Sequence, residues 1–255
     1  MSESIGSNGK PTVSVVMPLY NAENTVRDSI QSVLNQTYSD LELIVVDDCS
    51  TDEGIAIVED IAKKDCRVKV IKLARNEGAG VARNTAIEAA EGRYIAFLDA
   101  DDQWFQTKLA IQIEEFGIKD TALICSGYTI VDRSQKRIDR KMPQEWIAHS
   151  DLLKSNVIGC LTAIYDTHQV GKQYMPTIRK RQDYALWLNI IKKSGPAYCI
   201  QKELSQYYVQ PKSISANKME MLKWNYRMFR ETQNFGVSAS ALLTLRNAFY
   251  KLTRG

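Results

Sequence analysis

The sequence predicts an α/β fold in which helices flank a mostly parallel sheet. Short apolar runs alternate with segments of helical period through the first half of the chain. Strands separated by helices of this length pair in parallel through right-handed crossovers. The run at 94–98 is apolar throughout, which is typical of a strand buried on both faces. The 255 residues are enough for one large domain, or for one domain with an appendage.

The first half of the chain contains four predicted strands and three predicted helices. The strands are residues 13–18, 41–46, 68–73 and 93–98. Asn21 is a candidate N-cap of the first helix, and Thr51 or Asp52 of the second. The third helix is predicted at 78–90. The first two helices have apolar inward faces, formed by Val26, Ile30, Val33 and Leu34 and by Ile55, Val58, Ile61 and Ala62.

The alternation weakens after residue 102. A strand is predicted at 121–131, followed by a polar excursion at 132–144. A helix is predicted at 183–193, closed by Ser194-Gly195-Pro196. We therefore divide the chain into a disordered lead-in (1–10), an α/β domain (11–215) and a basic, amphipathic helical segment (216–255).

Composition excludes several classes of protein. The chain is 44% hydrophobic and 25% charged, and no run of eighteen apolar residues predicts a transmembrane helix. The first ten residues lack the apolar centre of a signal peptide. The five cysteines are scattered, which favours a reduced, cytoplasmic protein and argues against a zinc site.

The basic residues concentrate in the C-terminal segment. From residue 216 onward there are seven basic and two acidic side chains, a net charge of +5 in a chain whose total is +3. Its apolar stripes either pack onto the domain or lie on the inner face of the cytoplasmic membrane, where anionic lipid attracts basic side chains. Nucleic-acid binding is not expected, because the basic residues belong to no recognised module.

Polar residues follow each of the four predicted strands. Carboxyl ends of parallel strands meet at one edge of a sheet, which is where ligands bind in such folds. Each residue alone could be a helix cap or a turn residue, but four such groups at consecutive strand ends predict a ligand site. The residues concerned are Tyr20, Asn21, Asp47, Asp48, 76–80, Asp99 and Asp101.

The carboxylates after the fourth strand indicate a metal. Asp99, Asp101 and Asp102 would repel one another unless a cation held them, and Mg²⁺ or Mn²⁺ shared with phosphate oxygens fits such a site. The alternative is an acidic loop that caps a helix beginning near Gln106. A dinucleotide Gly-x-Gly-x-x-Gly fingerprint and a Walker loop are both absent from the sequence.

Five segments resemble the signatures of the family two inverting glycosyltransferases, which adopt the GT-A fold. Four are VSVVMPLYN (13–21), VVDDCSTD (45–52), GVARN (80–84) and FLDADD (97–102). The fifth, RQDYALWL (181–188), is similar to the family's catalytic-base segment. The match covers residues 11 to about 215, and weaker similarity over 158–218 points to enzymes of bacterial surface polysaccharides, including the teichuronic-acid type.

The resemblance implies a role for each matched residue. Asp101, with Asp99, would hold the Mn²⁺ or Mg²⁺ that bridges the diphosphate. Asp183 would be the general base that deprotonates the acceptor hydroxyl, although an aspartate there could instead cap the helix at 184–193. The UDP-sugar would be held by Pro18, Tyr20, Asn21, Asp47, Asp48, Arg83 and Asp99.

The implied function is a single sugar transfer with inversion, from a UDP-sugar to a saccharide hydroxyl. The acceptor would be lipid-linked, such as an undecaprenyl-diphosphate saccharide, and the enzyme would work at the inner face of the cytoplasmic membrane. One departure from the family pattern lies at 207–213, where many relatives carry a Tyr-Arg-x-His-type segment. That departure leaves a non-catalytic nucleotide-sugar-binding or scaffold protein of a polysaccharide synthase complex as the alternative.

Overall fold

The computed structural model describes residues 10–132, 134–209 and 218–254. The predicted lead-in, apart from Lys10, lies outside the described residues, and so does most of the departing segment at 207–213. No helix in the described ranges is long and apolar enough to cross a membrane.

Strands and helices alternate through the first half of the structure, as predicted. The strands in the described ranges are β1 Val13–Leu19, β2 Leu41–Asp47, β3 Val68–Lys72, β4 Tyr94–Phe97, β5 Gln103–Trp104, β6 Leu123–Val131, β7 Arg137–Lys141, β8 Trp146–Ile147, β9 Ile164–Asp166 and β10 Ala197–Tyr208. The helices are α1 Val26–Leu34, α2 Gly54–Ala62, α3 Ala79–Ala89, α4 Lys108–Phe116, α5 His149–Leu152, α6 Thr167–Val170, α7 Gln182–Ser194, α8 Lys218–Arg227 and α9 Val237–Arg254.

All of these strands belong to one sheet, whose central strands are mostly parallel. The strand order is β3-β2-β1-β4-β9-β6-β10-β5, with β7 added beside β6 and β8 beside β10. Strands β1 to β4 are mutually parallel, so their carboxyl ends lie at one edge. The α/β fold with a mostly parallel sheet is therefore confirmed.

The second half of the sheet reaches past that edge. Strand β9 runs antiparallel to β4, with Ala96 opposite Ile164, so the chain enters β9 beside the end of β4. Strands β6 and β10 run parallel to each other and continue to Val131 and Tyr208, with irregular register along the way. Their C-terminal halves thus form a wall beyond the ends of β1 to β4.

Both faces of the central strands are buried, which explains their unbroken apolar runs. In β1, Val15 and Met17 pack into the hydrophobic cluster on one face, while Val16 packs into the cluster on the other. Periodicity alone does not distinguish such strands from buried helices, but their short length does. The polar exception is Ser14, whose hydroxyl donates to the carboxylate of Glu42 at 2.5 Å.

Two predicted helix caps are wrong. Helix α1 begins after Thr25, four residues beyond Asn21, and Asn21 adopts a positive φ of 48° in the preceding loop. Helix α2 begins after Glu53 rather than Thr51 or Asp52. Asp52 still accepts the N–H of Gly54 at 3.0 Å, so it supports the helix start from one position further out.

The polar excursion at 132–144 contains the edge strand β7. All five of its residues are exposed, and Arg137 pairs with Glu203 of β10 at 3.0 Å. A strand without a buried face has no alternating pattern to detect, so the sequence did not predict it. Charged residues on such an edge also discourage pairing with another chain.

The C-terminal segment is helical, as expected from its sequence. Helix α8 leads into a π-helical turn, Met228–Thr232, and a short loop connects that turn to α9. Met228 and Phe229 are fully buried, and Phe229 packs edge-on against Tyr184 of α7 with ring centroids 6.1 Å apart. This part of the segment therefore packs onto the same helix that carries Asp183.

Candidate active site

The loops after β1 and β2 are joined at the strand ends by Asn21. Its backbone N–H donates to the Ser50 hydroxyl at 3.1 Å, and its side-chain oxygen accepts the N–H of Thr51 at 2.8 Å. Asp47 accepts the N–H of Ser50 at 3.2 Å. Asn21 and Asp47 therefore act on the loops themselves, and the 53% exposed ring of Tyr20 stands at the surface beside them.

Asp48 fixes the loop that enters α3. Its carboxylate is buried and accepts the N–H groups of Glu77 and Gly78 at 2.7 and 2.8 Å. Its backbone oxygen accepts from the side chain of Asn76 at 3.0 Å. Gly78 has a φ of 92°, a conformation that favours glycine, so the loop can turn directly into the helix.

Arg83 projects from the first turns of α3 towards the end of β4. Its guanidinium is buried and forms an ion pair with Asp99. Burial opposes the positive charge, but the carboxylates of Asp99 and Asp183 outweigh it and raise the pKa of Arg83. Arg83 is thus held charged between the acidic loop and the start of α7.

The acidic loop after β4 contains three aspartates in different settings. Asp99 and Asp101 are partly exposed, whereas Asp102 is buried and accepts the backbone N–H of Tyr208 at 3.1 Å. Burial raises the pKa of Asp102 well above its ordinary value, and the charges of Asp101 and Asp99 raise it further. The three carboxyl groups are therefore close enough to repel one another.

The donor chemistry of this loop fits a hard cation that arrives with its own oxygen ligands. In the described parts of the chain, no group of three histidine, cysteine or acidic side chains is preassembled as a metal site. Asp99 is already paired with Arg83. Mg²⁺ and Mn²⁺ use one or two carboxylates together with phosphate oxygens and water, and Asp101 with Asp99 can supply that share.

Asp183 lies in the first turn of α7 and is not its cap. The cap position is Arg181, which has a positive φ of 69°. The Asp183 carboxylate accepts from the side-chain amide of Asn156 at 3.2 Å. A negative charge in the first turn is also favoured by the helix dipole.

Asp183 and the acidic loop both influence the pKa values of two further side chains, Cys160 and Tyr128. Burial raises the pKa of Cys160, as do the charges of Asp99, Asp183 and Asp102, against the opposite effect of Arg83. Burial raises the pKa of Tyr128 to about 12, with contributions from Tyr207 and, among others, from Asp102 and Asp183. The predicted base and the acidic loop therefore lie close enough to act electrostatically on the same two side chains.

Tyr128, Asn156 and Cys160 are site residues that the sequence did not predict. Tyr128 stands on the part of β6 that passes the sheet edge, and its ring lies edge-on to Tyr207 at 6.4 Å. Asn156 comes from the irregular stretch after α5, and Cys160 begins a 3₁₀ turn, Cys160–Thr162, that precedes β9. A pocket of about 440 Å³ opens nearby, lined by residues of 76–84 and 176–182, and it includes Gln182 but not the acidic loop.

Comparison with known proteins decides the family. Residues 14–172 match the profile of glycosyl transferase family 2, which is more than half of the chain. The chain belongs to glycosyl transferase family 2. The matched range of this glycosyltransferase includes Tyr20, Asp48, Arg83 and Asp101, whereas Asp183 lies beyond it.

Curated relatives of this glycosyltransferase include bacterial proteins that are named as glycosyltransferases. The chain is 41% identical over 228 residues to TuaG of Bacillus subtilis, named as a teichuronic acid biosynthesis glycosyltransferase; the match covers 89% of this chain and 90% of TuaG. It is 39% identical over 212 residues to WfgD of Escherichia coli, covering 83% and 82% of the two chains. WfgD is named as a UDP-Glc:alpha-D-GlcNAc-diphosphoundecaprenol beta-1,3-glucosyltransferase.

Solved structures confirm the GT-A fold. TarS of S. aureus, solved with UDP-GlcNAc, superposes with a TM-score of 0.72 at 19% identity, over 96% of this chain and 73% of that one. The mannosyltransferase PcManGT of Pyrobaculum calidifontis, solved with GDP-Man and Mn²⁺, gives a TM-score of 0.71 at 20% identity, over 96% and 73%. At such identities the likeness establishes the fold alone.

Proposed function

We propose that this glycosyltransferase moves one sugar from a UDP-sugar to a hydroxyl of a lipid-linked saccharide, with inversion at the anomeric carbon. The observation that carries the proposal is the buried ion pair of Arg83 with Asp99, together with the electrostatic influence of Asp183 on the same guanidinium. The named activity of WfgD, which uses UDP-glucose and a diphosphoundecaprenol-linked sugar, supports the same donor and acceptor classes. The name of TuaG supports a role in surface polysaccharide synthesis.

In this proposal, the nucleotide binds along the ends of β1, β2 and β4. The exposed ring of Tyr20 offers a face for the uracil, and Pro18 lies half-buried before it. Asp48 keeps the 76–78 loop in place through two backbone hydrogen bonds and still has acceptor capacity for the base. Arg83 and Asp99 then border the ribose and the diphosphate.

Asp101, with Asp99, would hold Mn²⁺ or Mg²⁺ on the diphosphate. Bound there, the cation would stabilise the charge that grows on the departing UDP. The buried, charged Arg83 adds a fixed positive group of this chain beside that charge, in surroundings where water is largely excluded.

Asp183 would take the proton from the acceptor hydroxyl as that oxygen attacks the anomeric carbon. The C–O bond to the sugar forms as the bond to UDP breaks, so an α-linked donor gives a β-linked product. Asn156 orients the base by donating to one of its oxygens. Tyr128, whose pKa is influenced by both Asp102 and Asp183, is a candidate contact for the acceptor sugar.

We further propose that residues 11–215 form the GT-A domain, and that residues 216–255 form an extension that keeps the enzyme at the inner face of the cytoplasmic membrane. A lipid-linked acceptor is confined to that surface, so an enzyme that uses it gains by staying there.

Tyr208 belongs to the segment 207–213, which departs from the family pattern. Its backbone N–H donates to Asp102 at 3.1 Å, and its hydroxyl donates to Gln135 at 2.7 Å.

The test is release of UDP by the purified protein from a panel of UDP-sugars, with Mn²⁺, with Mg²⁺ and with a chelator. We expect release from one donor, dependence on the metal, and a loss of at least about 10²-fold in Asp101→Asn, because the metal's share of charge stabilisation is removed. Asp120→Asn is the matched control, since Asp120 is exposed in a loop away from the site. Binding of UDP-sugars without turnover, even with lipid-linked acceptors present, would establish the non-catalytic alternative.

A further inference from the structure

Helix α9 buries polar residues and exposes apolar ones, the reverse of an ordinary surface helix. Its most buried residues are Ser240, Thr244 and Asn247, all less than 8% exposed, and the partly buried Leu243 also packs against the core. Three large apolar residues on its other side, Leu242, Leu245 and Phe249, are each about two-thirds exposed. We call these three residues, which lie at helical spacings i, i+3 and i+7, the apolar stripe.

The polar face is held in place by hydrogen bonds to the rest of the protein. The Asn247 amide donates to the hydroxyl of Tyr184 at 3.3 Å and accepts from the side chain of Asn225 at 3.0 Å. The Ser240 hydroxyl donates to the backbone oxygen of Phe235. Rotating α9 to hide the apolar stripe would leave these buried polar groups without partners, so the outward orientation is specified.

The size of the stripe indicates an interaction surface. An 18-residue helix is about 27 Å long, and the stripe covers two of its turns, with exposed Ala241 beside it. Single exposed apolar residues are common, but a group of them on one helix indicates a site that contacts another protein or a membrane.

The charged residues of the C-terminal segment indicate which partner covers the apolar stripe. The two acidic residues of the segment are ion-paired, Glu220 with Lys180 and Glu231 with Arg227. Among the basic residues, Lys223, Arg230 and Arg246 are exposed, and Arg246 stands at the margin of the stripe. A second copy of this chain would bring like charges together across a two-fold axis, whereas an anionic lipid surface attracts them.

We infer that α9 lies in the plane of an anionic membrane surface, with Leu242, Leu245 and Phe249 in the boundary of the acyl chains and Arg246 among the headgroups. A helix with a strongly apolar face and a basic margin binds in this way without crossing the bilayer. The inference deepens the proposed function and rests on it, since the same surface would carry the lipid-linked acceptor. It assigns the membrane contact to α9, while α8 and the π-helical turn pack onto the domain.

The test compares two double variants in a flotation assay with vesicles. Leu242→Glu/Leu245→Glu places two charges in the stripe. Ile118→Glu/Ile138→Glu makes the same chemical change at two exposed, isolated apolar residues elsewhere, 66% and 56% exposed. Truncation is unsuitable. Deleting the whole segment would remove Met228 and Phe229 from the core, and deleting α9 alone would take Asn247 from its partners Asn225 and Tyr184.

We expect the wild type to float with phosphatidylglycerol-containing vesicles and not with phosphatidylcholine alone, and to bind less as salt rises. The stripe variant should bind at least about tenfold more weakly, and the control variant as tightly as the wild type. A wild type that stays unbound, or a stripe variant that floats equally well, overturns the inference. A change from dimer to monomer in the stripe variant, measured by light scattering, would also overturn it and assign the stripe to a second copy.

The same preparations separate this inference from the proposed function. UDP release from a soluble assay should be equal within about twofold in the wild type and both variants, because all four substituted positions are exposed. If flotation follows the expected pattern while the wild type shows no turnover, membrane docking stands and the proposed function fails.

Discussion

The aspartates around the cleft are chemically identical, but their partners give them different tasks. Asp48 satisfies two backbone N–H groups and is structural in the unliganded protein. Asp99 is paired with Arg83, and Asp102 is buried against the backbone of Tyr208. Asp183 receives one longer hydrogen bond from an amide, at 3.2 Å. A carboxylate that is oriented by a neutral amide is suited to accepting a proton.

Asp183→Asn should lower kcat by about 10²–10⁴-fold and leave the donor KM nearly unchanged. The amide keeps the shape of the side chain but cannot act as a general base. Steady-state UDP release with acceptor present measures both constants. Asn156→Ala should have a smaller effect, since it removes only the group that orients the base. If Asp183→Asn kept more than about a tenth of the wild-type kcat, another group would have to be the base.

The sequence could predict which polar residues share the sheet edge, but not all of the residues that face them. Asp48, Asp99 and Asp101 follow parallel strands, and strand ends of that kind meet by geometry. Tyr128 sits within a strand that continues past the edge, and Asn156 belongs to an irregular stretch. Neither position has a local pattern, because tertiary packing alone brings it to the cleft.

At the scale of elements, the sheet positions the site, and a few hydrogen bonds and ion pairs hold neighbouring strands and helices together. Asp166 ends β9 and caps α6, where it accepts the N–H of His168 at 2.8 Å. It also pairs with Arg93, just before β4, at 2.6 Å. Burial alone would raise its pKa, but these hydrogen bonds outweigh burial and lower the pKa of Asp166. The pairing joins β4, which leads to the acidic loop, to the antiparallel strand beside it.

Asp166→Asn should lower the free energy of unfolding at pH 7 by roughly 2 kcal/mol, because hydrogen bonds to a buried charged group are lost. Since the folded-state pKa is below the ordinary aspartate value of about 3.9, the charge contributes fully above that pH. The difference between wild type and variant should shrink as pH falls through the lower folded-state pKa. Urea unfolding at several pH values measures it. A difference that stays constant down to the lowest pH would show that the ionised carboxylate is not the cause.

The predicted elements failed where local patterns competed with tertiary contacts. Asn21 has the chemistry of a helix cap, yet it bonds to the loop after β2, and α1 begins without it. Strand β7 has no buried face, so nothing in its pattern separates it from a loop. The buried strands β1, β2 and β4 were predicted to within one residue at each end, since continuous burial leaves a continuous apolar run.

At the scale of the whole molecule, the C-terminal segment divides into two parts that pack differently. Its first part ends in Met228 and Phe229, which complete the core next to α7. Its last helix turns apolar residues outward. Composition could not separate these two parts, because both are basic and both contain large apolar residues at helical spacing. Only their packing contacts distinguish the two parts, such as the contact of Phe229 with Tyr184.

Phe229→Ala should therefore lower the stability of the entire protein, by about 3–5 kcal/mol of unfolding free energy, since it opens a cavity in the shared core. Phe249→Ala is the matched control, because the same side chain is 68% exposed in α9 and its loss should change stability by less than about 0.5 kcal/mol. Urea unfolding followed by far-UV circular dichroism measures both. A single transition is expected in each variant, because Phe229 contacts the helix that carries Asp183. An early, separate transition in Phe229→Ala would instead mean that the segment unfolds as an independent unit, and that Asp183 does not depend on it for its position.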